Sequence, residues 1–152
     1  MADKPKKDDR WKEQLARVRR WHLKAQKINR DKTSISDDEL DLLFAFFLNC
    51  WHLYDWLKNS NALSTEALDN FFRKNETMKL CYDICIGAKH LNIDYPKGGF
   101  NRLHIAREYM GKDADTGKTQ LILFESGIQD MVGLANNCMM LIESFLREHK
   151  LE

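Results

Sequence analysis

Apolar side chains recur at intervals of three and four residues along most of the chain. This spacing places them on one side of a helix, so the pattern predicts a helical protein. The expected helices span residues 9–30, about 37 to 59–61, 65–73, 76–91 and 129–149. We therefore expect a mainly α fold, a bundle of about five helices, as a single domain over residues 9–152 after a disordered basic tail at residues 1–8.

Two polar residues mark helix starts. Ser36 is followed three residues later by Glu39, the spacing of a capping box, and acidic residues fill the first turn, where the helix dipole favours them. Ser64 or Thr65 is expected to cap the short third helix. These caps predict where the second and the third helix begin.

The segment before the last helix has a different pattern. Residues 101–110 and 119–124 flank the sequence GKDADTGK, whose Asp, Gly and Lys content suits a turn. The apolar run LILF at residues 121–124 is the better strand candidate. The pattern predicts a small β-hairpin over about residues 101–124, before the final helix.

The second predicted helix is apolar on most sides, with four strongly polar residues, Asp41, Asn49, His52 and Asp55, between Leu40 and Leu57. At 100° per residue, His52 lies about 20° from Asp41, and Asp55 lies about 40° to the other side. These three residues, here called the polar line, must therefore meet water, a cation or polar groups of another helix, because an unpaired buried charge is costly.

The fourth predicted helix carries Asp83, Lys89 and His90 beside its apolar stripe. We expect these groups to face His52 and Asp55 inside the molecule and to form a satisfied polar network between the two helices. The alternatives are an acid/base site, since histidine titrates near neutral pH, and a ligand-binding site at the same place.

Charge is segregated along the chain. Residues 1–32 contain twelve Lys or Arg and five acids, whereas residues 33–152 contain twelve and eighteen, so a basic segment precedes an acidic body. One side of the first helix collects basic residues that are candidates for nucleic-acid binding, namely Arg17, Arg20, Lys24 and Lys27. The helix could bind RNA or an acidic protein, or fold back on its own domain. Trp11 and Trp21 on the same helix could touch RNA or a membrane surface, or pack on the bundle or on a twin subunit.

The four cysteines, Cys50, Cys81, Cys85 and Cys138, all fall in helical apolar patterns, so we expect free, buried thiols. Cys81 and Cys85 share a helical face and would suit a metal if Cys50, Cys138 or a histidine converged on them. Because the loop-borne C-x-x-C spacing of structural zinc sites is absent, we predict no metal and no cofactor.

Several classes of protein are excluded or disfavoured. No apolar stretch has the roughly 18 uncharged residues of a membrane span, and the first ten residues lack the apolar region of a secretory signal. We therefore expect a soluble cytoplasmic protein. The sequence DADTGKTQ lacks the first glycine of a Walker phosphate loop, which argues against an NTPase.

Two stretches, HLYDWL and CYDICIGAKHLNI, resemble a family of small bacterial and phage proteins with the motifs H-L-x-D-W and D-I-x-N-G-x-K-H, which are similar to the HEPN group of helical domains. The resemblance covers roughly residues 40–91. The matching positions are His52, Asp55, Trp56, Asp83, Gly87, Lys89 and His90. Ile86 stands at the Asn position, and Tyr82 stands where relatives often have Arg.

The resemblance implies a small homodimeric protein of accessory or phage-defence type that acts by binding a nucleic acid or a protein partner. HEPN ribonucleases carry an Arg four to six residues before a His, and no Arg precedes His90 at that spacing. A metal-independent RNase toxin using His90 and Lys89 is the alternative, with His52, Asp55 and Asp83 as further candidates. A purely structural protein-interaction module is the third hypothesis.

Overall fold

The computed structural model describes residues 8–29, 35–90 and 130–152, with the side chains of residues 87–90 excepted. Five helices lie in these ranges: α1 (Trp11–Ala25), α2 (Asp37–Asn59), α3 (Thr65–Phe72), α4 (Glu76–His90) and α5 (Met131–Glu148). No strand occurs within the described ranges, and the predicted hairpin at residues 101–124 lies outside them. The mainly helical fold is therefore confirmed.

Side-chain caps begin α2, α3 and α5, and the first two lie where the sequence indicates. The capping box at Ser36 is present: the Glu39 N–H donates to Ser36 Oγ at 3.2 Å, and the Ser36 N–H donates to Glu39 Oε1 at 3.0 Å. Ser64, and not Thr65, caps α3 by accepting from the Ala67 N–H at 3.1 Å. Asp130 caps α5 in the same way, accepting from the Val132 N–H at 3.1 Å. Each cap satisfies a backbone donor that the first turn leaves unpaired.

The first helix is shorter than its apolar pattern predicts. The pattern continues to Ile28, which is indeed buried, but α1 ends at Ala25. Beyond it the Lys27 N–H donates to Lys24 O and the Ile28 N–H to Ala25 O, so the chain tightens into three-residue turns. The periodicity correctly predicts that Ile28 is buried. It does not predict where the helix ends, because a turn can place an apolar side chain in the core as well as a helix can.

Helix α2 is the centre of the bundle, in contact with each of the other four helices. Its buried residues accordingly point in many directions: Leu40, Leu43, Phe46, Phe47, Cys50, Trp51, Leu53, Tyr54 and Leu57. Aromatic rings from several helices meet on one side, where Phe71 of α3 stacks on Phe145 of α5 with ring centroids 4.3 Å apart. Trp51 of α2 joins these rings, with its centroid 5.6 Å from that of Tyr54 and 6.0 Å from that of Phe72, so the aromatic core includes residues of α2.

Helix α1 packs on its own domain. It contacts α2 and α5, and Trp11, Leu15 and Val18 are buried in these contacts. At its N-terminal side the Asp8 N–H donates to Ser60 O at 3.1 Å. Of the alternatives left by the sequence, folding back on the acidic body is the arrangement observed for the inner side of α1.

Candidate functional site

The polar line of α2 lies on the solvent side of the bundle. Asp41, His52 and Asp55 are all exposed. The fourth polar residue, Asn49, instead faces α1, where the buried Gln14 donates through Nε2 to Asn49 O at 2.9 Å and to Asn49 Oδ1 at 3.2 Å. Three of the four polar side chains therefore face solvent, and the fourth accepts a hydrogen bond from a partner helix.

This placement corrects the prediction of a polar network inside the molecule. Asp83 of α4 is fully buried, whereas His52 and Asp55 are in solvent, so the structure does not bring the three side chains together in the core. Asp55 instead lines an open surface cleft of about 240 Å³ with Arg10 and Trp11. The remaining candidates, the side chains of Lys89 and His90, lie outside the described residues. Water was one of the environments that the sequence allowed for the polar line. Although α2 contacts every other helix, one strip of its surface is left open to solvent.

The basic residues of α1 separate into two groups. Arg19 is engaged in the fold: Nε and Nη2 each donate to a Glu143 carboxylate oxygen of α5 at 2.8 Å, and the same guanidinium contacts Glu152. Arg17 is half-buried, donates to Gln14 Oε1 and lies 5.9 Å from the Trp56 ring centroid. Both side chains therefore serve contacts within the bundle.

The second group is exposed. Arg20, Lys24 and Lys27 occur at spacings of four and three residues, and none has an acidic partner among the residues that the structure describes. The half-buried Trp21 lies beside them, with the Lys24 ammonium 4.4 Å from its ring centroid. We call Arg20, Trp21, Lys24 and Lys27 the basic face. It combines unpaired cations with an accessible aromatic surface.

Three thiols meet in the core. Cys50 of α2, Cys81 of α4 and Cys138 of α5 have no solvent exposure, and their sulfur atoms all lie within 4.8 Å of one another. Phe47 O, 3.6 Å from Cys81 Sγ, is a further acceptor within reach of the single S–H of Cys81. Cys85 is buried one turn beyond Cys81 but does not belong to this close group, which we call the thiol cluster. The prediction of free, buried cysteines is confirmed.

Hydrogen bonding within the thiol cluster differentiates its sulfurs. Hydrogen bonds from Cys50 and then Cys81 lower the pKa of Cys138 to about 5, with help from the positive charge of His22 and against the effect of burial. Donation to Cys138 is the largest cause that raises the pKa of Cys50 and of Cys81, and burial acts in the same direction. Cys138 is therefore the common acceptor of the thiol cluster, and its neighbours favour the ionised form of its sulfur more than that of Cys50 or Cys81.

The sequence places Cys81 and Cys85 on one helical face, as two candidate ligands of a metal. The observed group instead joins Cys81 to one cysteine from each of two other helices. The available signal was that Cys50, Cys81 and Cys138 each fall within the apolar stripe of a different helix. That signal indicates burial, and it leaves open how the helices are rotated about their axes. The meeting of the sulfurs was therefore not predictable from the spacing.

Among the described helices, none has both the length and the hydropathy needed to cross a membrane. Comparison of the chain with protein-family models, with curated proteins and with solved structures finds no match. The resemblance to HEPN proteins therefore stays a prediction.

Proposed function

We propose that the protein acts by binding RNA, with the basic face of α1 as its contact surface. The observation that carries the proposal is the exposure of Arg20, Lys24 and Lys27 without acidic partners in the described part of the chain, next to an Arg19 that is fully engaged by Glu143 and Glu152. Exposed cations without such partners are available for phosphates, and neutralising phosphates releases counterions and favours binding.

Trp21 supports a single-stranded substrate. Proteins that bind single strands combine a positively charged surface with aromatic rings on which bases stack. Trp21 is half-buried, so one part of the indole is anchored in the bundle while another part is accessible beside Lys24. An acidic protein partner would also be attracted by the cations, but it would have no comparable use for an accessible indole. The resemblance to HEPN domains, many of which handle nucleic acids, points in the same direction.

Binding should be measured by fluorescence anisotropy with a short single-stranded RNA over a range of salt concentrations. For three phosphate contacts, the slope of log K against log salt should become shallower by about 2 when Arg20→Gln, Lys24→Gln and Lys27→Gln are combined, since each contact on a single strand contributes about 0.7. A matched control combines Lys58→Gln, Lys74→Gln and Lys150→Gln, which remove the same charge from exposed positions elsewhere.

The control variant should keep the slope of the unaltered protein. Equal losses in the two triple variants would mean that net charge and not the basic face drives association, and this would contradict the proposal. So would an absence of RNA binding at low salt. Binding of an acidic peptide in preference to RNA would identify the alternative partner.

The same assay separates a binding protein from an RNase. We expect the RNA to remain intact in metal-free buffer. Cleavage that His90→Ala abolishes without loss of the fold would establish the toxin hypothesis in place of binding alone.

We also propose a homodimer, which the HEPN resemblance implies. Two large apolar side chains on adjacent helices, Leu23 of α1 at 59% and Met140 of α5 at 62%, are exposed and would be available to a second copy. Light scattering at micromolar concentration tests this, with a monomer contradicting it.

A further inference from the structure

We propose that Cys50, Cys81 and Cys138 bind one thiophilic metal ion in a three-coordinate thiolate site, each thiol releasing its proton to solvent as its sulfur–metal bond forms, with Cu(I) as the ion that fits best. The proposal is independent of RNA binding, because the cluster lies in the core and the basic face lies on the surface of α1.

Geometry supports the site first. In a planar three-sulfur site with metal–sulfur bonds of about 2.3 Å, the sulfurs are about 4.0 Å apart. The three sulfur atoms of the cluster are already within 4.8 Å of one another. Closing on an ion therefore requires side-chain movements of less than about 1 Å, a displacement that small rotations about χ1 can supply.

The origin of the three sulfurs also supports it. Cys50, Cys81 and Cys138 come from α2, α4 and α5, so their meeting is not a consequence of one helical repeat. A single buried cysteine is ordinary, because the residue packs like a small apolar side chain. Three sulfurs within bonding range of one point form a complete set of soft ligands, and such ligands select Cu(I) or zinc over hard cations.

The number of ligands distinguishes the two ions. Zinc in structural sites takes four ligands in a tetrahedron, whereas Cu(I) is satisfied by three thiolates. Among the described residues the close group contains three sulfurs, and Cys85, one turn from Cys81, is outside it. A group with three ligands and no fourth within the part of the chain that the structure describes favours Cu(I).

The surroundings would keep such an ion away from water and oxidants. The three cysteines have no exposure, and they belong to one buried core with large apolar residues of the same helices, among them Phe46, Phe47 and Ile142. The bundle must open for the ion to enter, so loading is expected to be coupled to folding. A bound ion would then hold α2, α4 and α5 together, since metal-binding energy becomes folding energy when the unfolded chain has no site.

The test begins with the full chain, unfolded and refolded under reducing conditions in Cu(I) buffered by a competing chelator. We expect one Cu(I) per chain, an X-ray absorption spectrum with three sulfurs at about 2.3 Å, and a melting temperature raised by about 8 °C when the free ion is a hundredfold above Kd. Failure to retain Cu(I) against the chelator, or a spectrum with nitrogen or oxygen ligands, would overturn the proposal.

Cys138→Ala and Cys50→Ala each remove one ligand, and Cys85→Ala is the matched control, a buried thiol on the same helix as Cys81 but outside the close group. The ligand variants should lower Cu(I) affinity at least a hundredfold, and the control should keep it. Circular dichroism of each apo variant checks that its helices form. If one ligand variant fails to fold, the other and the spectrum of the unaltered protein decide.

A second titration with Zn(II) checks the coordination number. The three-thiolate site predicts tighter retention of Cu(I) than of Zn(II), and no effect of Cys85→Ala on either. Zn(II) bound with four sulfurs and released by Cys85→Ala would replace the proposed site with a four-thiolate zinc site.

Discussion

The two sides of α2 carry the most informative contrast in the molecule. Cys50 and His52 are two residues apart, so their side chains point about 160° apart, on nearly opposite sides of the helix. His52 lies with Asp41 and Asp55 in solvent, where the described structure gives none of the three a hydrogen bond or ion pair, whereas Cys50 meets sulfurs from two other helices. The polar side carries titratable residues that form no hydrogen bond or ion pair with another helix in the described structure. The inner side brings together side chains from three helices, which a binding or catalytic site requires.

The contrast shows what defines a site. A polar residue on one helix reports only that the position can be hydrated. A site needs side chains from several helices to meet at one point. The thiol cluster meets this condition because α2 contacts all the other helices, including α4 and α5, which supply the other two cysteines. A comparison of free energies of unfolding for variants on the two sides tests whether the structure assigns them correctly.

The largest effect is expected for Phe47→Ala. Phe47 is fully buried on the inner side of α2, and its ring packs edge-on against Phe46 with centroids 5.2 Å apart. Removing the ring leaves a cavity, so the free energy of unfolding measured in urea should fall by about 3–5 kcal/mol. A loss below about 1 kcal/mol would mean that this side of α2 is not the core.

Glu143→Gln should have an intermediate effect that depends on pH. The hydrogen bond from Arg19 is the largest cause that lowers the pKa of Glu143, and burial opposes it. Because the folded pKa is depressed, the ionised carboxylate stabilises the fold fully above its unfolded pKa of about 4.3, and that contribution is lost as pH falls through the folded value. The variant should lose up to about 1 kcal/mol at pH 7, since the pair is partly exposed.

The difference between Glu143→Gln and the unaltered protein should shrink below pH 4 in urea titrations repeated across the acid range. Lys79→Gln is the comparison variant, because its ion pair with Glu76 lies within α4 and joins no second helix. Glu143→Gln should cost more than Lys79→Gln at neutral pH. A difference that persists unchanged in acid would show that packing, and not charge, accounts for the contribution of Glu143.

The smallest effects are expected on the polar line itself. His52→Ala and Asp55→Ala replace exposed side chains, so each should change the free energy of unfolding by no more than about 0.5 kcal/mol. A loss above about 1.5 kcal/mol for either would restore the predicted internal network. Both variants should retain the cooperative unfolding of the parent protein.

The features that could be predicted from the sequence depend on interactions between residues close together in the chain. The capping box at Ser36, the cap at Ser64 and the amphipathic pattern of the last helix depend on residues close together in the chain, and the structure confirms them. The end of α1 was misplaced because Ile28 is buried from a turn. The role of Arg19 was also missed, since its partners Glu143 and Glu152 are more than a hundred residues away.

The amino-acid sequence by itself determined the helices, the caps of α2 and α3 and the burial of the four thiols, because hydrogen bonding within a turn and the periodicity of apolar side chains are local properties. Only the tertiary structure decided which side of α2 stays in water and that Cys50, Cys81 and Cys138 meet. Those outcomes depend on how each helix is rotated against its neighbours, and that rotation is set by the packing of all the side chains between them.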